Sequence, residues 1–143
     1  MTQTTDSRDQ AADFLRAQAY VGMAYEPDVF DCAHLFMQVQ RELFGRDMAV
    51  PTQYTQHRQG RAGQAAQIKA AKEDLATRIT SPEHGCAVLL VSSGDVWHIG
   101  VVLLHHCEAW VLHNSRVMGG VALNRLRDFA WRGQRIEGYY LWN

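Results

Sequence analysis

CAVLLVSSGDVWHIGVVLLHHCEAWVLH, residues 86–113, decides the fold. Two β-branched or apolar runs, Cys86–Val91 and Val96–Leu104, flank the turn sequence SSGD, and a third, Trp110–His113, follows a polar reversal at His105–Glu108. Short runs of this kind bounded by turn residues read as consecutive antiparallel strands joined by hairpins. Toward the C-terminus, Val121–Asn124 and Ile136–Trp142 read as further strands, with a turn at Gly119 and Gly120. Toward the N-terminus the grammar is helical. Cys32, Leu35, Phe36, Val39 and Leu43 recur at i, i+3, i+4, i+7 and i+11 and line one helical face, with Asp31 in the N-cap position and Gly45 in the C-cap position. An earlier helix, capped by Asp6 or Ser7, carries Ala11, Phe14, Leu15 and Ala19 and ends by Gly22. The spacing of Ile68, Leu75 and Ile79 predicts a third helix over Gln64–Ile79, before the break SPEHG. Helices first and strands afterwards define an α+β chain, its N-terminal helices packed on a C-terminal antiparallel sheet.

The chain has 143 residues, a length that fits a single domain spanning 1–143. Residues 1–9 are polar and read as frayed, and 45–64 read as a loop insertion that runs into the Gln-rich stretch Thr52–Gln67. Fourteen Lys and Arg against fifteen Asp and Glu give a net charge of −1, which offers no electrostatic footprint for nucleic acid. The longest apolar runs, Ala87–Val91 and Ile99–Leu104, fall far short of the ~18 residues of a membrane span. The opening MTQTTDSRDQ lacks the basic region and apolar core of a signal peptide, so the expectation is a chain that is cytoplasmic when made. Three cysteines with no CxxC pair suit neither a disulfide scaffold nor a ribbon-type zinc site.

Cys32 is placed by Asp31 at the first turn of its helix, where unpaired backbone N–H groups and the positive dipole end favour a thiolate. The competing reading makes it one more apolar residue of the stripe it shares with Leu35 and Phe36, since free cysteines are commonly buried. A cysteine nucleophile needs an imidazole base, and that base needs a polar group to orient it. His98 and His113 are 15 residues apart on adjacent expected strands, and the register of those strands decides whether they meet.

The segment GMAYEPDVFDCAHLFMQVQRELFG, residues 22–45, resembles the N-terminal half of the NlpC-type cell-wall endopeptidases, a papain-like cysteine peptidase family, and above all its phage-tail members. Tyr25, the Phe30-Asp31-Cys32 triplet and Phe44-Gly45 follow the family's order, and WHIGVVL and VLHNSRVMGGVAL resemble its two central strands. The resemblance runs from about Tyr20 to Leu126. It implies a papain-like fold with Cys32 as nucleophile, His98 as general base and then acid, and His113 as the orienting residue. The oxyanion would be held by the N–H of Cys32 and the hydroxyl of Tyr25. The implied substrate is an amide bond of a peptidoglycan stem peptide, cut through a thioester, with no metal or organic cofactor. Other phage tail proteins are the implied partners, and a virion tail or the cell wall the implied destination. The chain departs from the family at Ala33-His34, which replaces a small pair and puts His34 where it would crowd the cleft, in the shorter turn EPDV, and in a longer reach between the histidines.

Other readings compete. His84, Cys86, His105, His106 and Cys107 would converge as zinc ligands if the hairpin brought them together, although neither spacing is a recognised zinc pattern, and Cys86 and Cys107 are near enough in that hairpin to consider a disulfide. The four tryptophans read as mostly structural, and Arg116, Arg125, Arg127, Arg132 and Arg135 as a solvated basic face. Two functional alternatives remain: a catalytically inactive tail-assembly protein that keeps a hydrolase fold, and a wall-amidase effector using the same three residues.

Overall fold

The computed structural model describes residues 7–27, 29–47, 76–92 and 96–142. Among them α1 (Ser7–Ala17) and α2 (Cys32–Phe44) precede six strands: β1 (Ala76–Ile79), β2 (Ala87–Ser92), β3 (Val96–His105), β4 (Glu108–Ser115), β5 (Gly120–Arg125) and β6 (Gln134–Trp142). The strands form one antiparallel sheet in the order β1-β6-β2-β3-β4-β5. The chain is therefore α+β, as its segregated pattern predicts. Two expectations are corrected. Residues 76–79 of the expected third helix are strand β1, paired with β6 from Ala76↔Trp142 to Ile79↔Tyr139, while 64–75 lie outside the described residues. Ala76-Thr77-Arg78-Ile79 has two β-branched residues and an edge to complete, and the tertiary pairing overrides the period read from isolated apolar positions. Ser7–Asp9, read as frayed, form the first turn of α1. Most of the 45–64 insertion also lies outside the described residues.

Helix α2 is fixed at both ends by its own sequence. The Asp31 side chain accepts the His34 N–H at 3.0 Å, which satisfies one of the helix's orphan donors. Gly45 ends the helix in the left-handed region at φ 65°, and Arg46 N–H reaches back to the Gln40 carbonyl at 2.9 Å. A residue bearing Cβ would be strained there, which is why glycine belongs in this cap. Leu35, Phe36 and Val39 point into the sheet, and the one buried amide among them, Gln40, donates to the Gly85 carbonyl at 2.8 Å.

The sheet has a core on each face. On one, α2 packs Cys32, Leu35, Phe36 and Val39 against Leu89, Ile99, Val101, Leu103 and Leu112. On the other, Leu126 and Phe129, from the short turns after β5, cover Val88, Leu90, Val102 and Val111. Burial on both faces accounts for the unbroken apolar run Ile99–Leu104, where a strand with one solvated face would alternate. Among the described residues no helix is long and apolar enough to cross a membrane.

Candidate active site

Alternation along β3 sends His98, Gly100 and Val102 to the Phe129 face and Ile99, Val101 and Leu103 to the α2 face. The β3–β4 turn is made by His106 and Cys107, both at positive φ (50° and 59°), which is the requirement of a two-residue primed turn. That turn sets the register Gly100↔His113, so His98 and His113 share a face as diagonal neighbours. The rings meet edge to face with centroids 5.0 Å apart, and His98 Nε2 lies 2.8 Å from His113 Nδ1. Beyond His113, its Nε2 lies 2.7 Å from Oδ1 of Asn124 on β5, and the Phe129 ring packs against it at 5.1 Å. The structure thus brings together two of the three predicted catalytic residues and adds an amide to them.

Gly100 makes this pairing possible. A Cβ at that position would stand 2.5 Å from Val111 Cγ1 and 3.3 Å from His113 Cβ, so only glycine lets β4 approach with His113 directly opposite.

Cys32 comes to the same place from the other side of the sheet. Val102 exchanges hydrogen bonds with Cys86 and Gly85 on the β2 side, so by alternation Ile99 turns its N–H toward β4. The β3–β4 pairing stops at Gly100↔His113, and the Ile99 N–H goes to the Cys32 sulfur. The thiol therefore occupies the gap where the two strands part, against the residue that follows His98. Asn114, next to His113 but on the α2 face, holds the approach to the helix: its Nδ2 donates to the carbonyls of Phe30 at 2.8 Å and Asp31 at 3.3 Å. The dipeptide His113-Asn114 thus ties the imidazole pair to one face of the sheet and the start of α2 to the other.

The electrostatics overturn the expected thiolate. Cys32 is only 3 % exposed, and burial pushes its thiol up to about 12, with the charge of Asp31 adding to the rise. The N–H groups of Ile99, Ala33 and Cys32 itself pull the other way and lose. His98 is held down to about 3 by burial and then by the neighbouring His113, which burial also lowers against the upward pull of its Asn124 bond. At neutral pH the site holds a neutral thiol and two neutral imidazoles.

His34 does not crowd the cleft in the way its side chain suggested. Its Nδ1 faces the Asp31 N–H at 3.4 Å and so closes a reciprocal cap, taking the place a glutamate or glutamine fills in a capping box, and lies 2.8 Å from the Asp31 carboxylate. Tyr25 is half-buried between the bridges Ala24↔Gly120 and Glu26↔Phe30, its N–H on the Gly119 carbonyl at 3.0 Å. The zinc alternative dissolves among the described residues. His84 is committed to Asp13 at 3.0 Å and to the Leu104 N–H at 2.9 Å, and His105 stacks on Phe14 at 4.1 Å. No disulfide joins any of the three cysteines, so Cys86 and Cys107 are not bridged. Trp131 is corrected from structural to surface, being 90 % exposed on the turn after Phe129. Of the basic face, Arg125 pairs with Asp128 and Arg127 with Glu108.

Sequence reasoning missed Asn124 and Asn114. The signal for Asn124 was its place on an expected strand at the same parity as a residue opposite His113, but strand register is needed to use it. Compared with family models and with curated proteins, the chain matches none.

Proposed function

We propose that the chain is a cysteine peptidase of the papain-like NlpC type that hydrolyses an amide bond of a peptidoglycan stem peptide. The observation that carries this reading is the 2.8 Å bond from His98 to His113, formed beside the strand gap that receives the Cys32 sulfur. A buried imidazole pair of this kind is a base with its orienting group attached, and it stands one residue from the backbone that touches Cys32, a thiol at the start of α2.

The neutral pair sets the order of events. As sulfur attacks the substrate carbonyl, the thiol proton passes to His98, and the new oxyanion is held by the Cys32 N–H with help from the Tyr25 hydroxyl. His98 then returns the proton to the departing amine, leaving a thioester on Cys32. Water, deprotonated by His98, attacks the thioester; the acid is released and the thiol regenerated. His113 keeps the imidazole aligned through both halves. No step calls for a metal or an organic cofactor. The chain would act on the wall from a phage or prophage tail, where other tail proteins are its partners.

The thiol pushed up to about 12 favours a second reading, in which the fold serves as an inactive tail-assembly part. Incubating the purified chain with peptidoglycan and following new amines by mass spectrometry separates the two. The hydrolase reading expects amine release that disappears in Cys32→Ala and in His98→Ala, with folded variants by circular dichroism. Wild-type release no greater than that of Cys32→Ala would leave the assembly reading in its place. The masses of the products identify the bond and distinguish an endopeptidase from a wall amidase.

A further inference from the structure

Asn124 faces the imidazole pair with its carbonyl oxygen, Oδ1, at 2.7 Å from His113 Nε2. A carbonyl oxygen accepts and never donates, so His113 Nε2 must carry the proton of that bond. A neutral imidazole has one N–H, which leaves His113 Nδ1 as a lone pair. The 2.8 Å contact from His113 Nδ1 to His98 Nε2 then requires His98 to donate. His98 Nε2 therefore holds the proton, and His98 Nδ1 is the bare nitrogen. Nδ1 is the ring nitrogen nearer the backbone, the side on which the peptide to Ile99 runs and the sulfur accepts its N–H. With the amide reversed, every proton in the chain would reverse, and His98 would present an N–H where a base is needed.

We infer that Asn124 is the positioning residue of this site, its amide oxygen fixing the tautomers of both imidazoles so that His98 presents a lone pair at Nδ1. The catalytic consequence rests on the hydrolase reading; the tautomers do not. One side-chain amide on an edge-side strand thereby decides whether the buried pair is a base or a donor. Both rings are neutral at rest, so no charge on either histidine enforces the direction, and the amide at the end of the row supplies it.

Long-range proton–nitrogen NMR of the full chain at pH 7.5 tests this without any substrate. In the wild type, Nε2 is expected protonated and Nδ1 unprotonated in both His98 and His113. Asn124→Leu keeps the branched outline and removes the acceptor, and both rings are expected to shift to mixed tautomers. Asn124→Asp, which still accepts from Nε2, is expected to restore the wild-type pattern and serves if the leucine variant does not fold. Where wall hydrolysis is present, Asn124→Leu is expected to lower turnover about 10- to 100-fold with Asn124→Asp recovering part of it. A protonated Nδ1 on wild-type His98, or tautomers unmoved in Asn124→Leu, would overturn the inference. A wild type with the stated tautomers and no hydrolysis would overturn the hydrolase reading alone and leave the hold of Asn124 on the two rings standing.

Discussion

Asp31 does two jobs that pull against each other. Its carboxylate caps α2 and bonds His34, which stabilises the helix, and its charge stands beside Cys32 and raises the thiol. Asparagine caps a helix about as well as aspartate, so Asp31→Asn separates the two effects. Stability should change by no more than about 1 kcal/mol, while the thiol becomes more acidic because the opposing charge is gone. Alkylation by iodoacetamide across the pH range, with each cysteine mapped by mass spectrometry, checks this. Exposed Cys107 should label first in both proteins, and Cys32 should label several-fold faster in Asp31→Asn than in wild type at the same pH. Equal rates at Cys32 would mean that burial alone sets its acidity.

Between elements, the contact that matters is β3 against β4. Gly100 sits opposite His113, and any side chain there meets Val111 and His113 before it meets space. Gly100→Ala is expected to cost about 1–3 kcal/mol through overpacking. That corresponds to a fall in Tm of roughly 3–10 °C for a chain of this size, readable by thermal denaturation. The damage should reach the imidazole pair, since His113 is one of the two residues that must move. A wild-type Tm in this variant would show that the strands have slack that the register denies. The same pairing explains why His98 and His113 meet although 15 residues separate them: the two-residue turn at His106 and Cys107 leaves no freedom to slip by one.

For the whole molecule, the buried titratable groups predict a stability plateau. The unfolded chain takes up protons on His98 and His113 as the pH falls below the ordinary histidine value of 6.5. The folded chain resists, His98 until about pH 3, so stability drops with falling pH. On the alkaline side, the unfolded thiols ionise from the ordinary value of 9.0, while Cys32 is held up to about 12 and Cys86 to about 11 in the fold. Stability therefore drops again as the pH rises. Denaturant midpoints at pH 5, 7.5 and 10 are expected to be highest at 7.5. A midpoint at pH 5 equal to that at 7.5 would contradict the burial of the imidazole pair.

The sequence by itself determined the elements whose signals are local. The α2 stripe from Cys32 to Leu43, the Asp31 and Gly45 caps and the strands on either side of SSGD follow from periodicity and turn chemistry within a few residues, and the α+β class follows from their order. It also marked Cys32, His98 and His113, each at or within two residues of the end of the element that carries it. Only the tertiary structure decided what depends on distant partners. Strand β1 exists because β6 is there to pair with it, which no periodicity within Ala76–Ile79 could reveal. Asn124 joined the site through a register fixed by two successive strand pairings. The charge state of Cys32 was misread for the same reason. A helix N-terminus is a local property that lowers a thiol, whereas burial is a property of the packed molecule and at this position the larger effect.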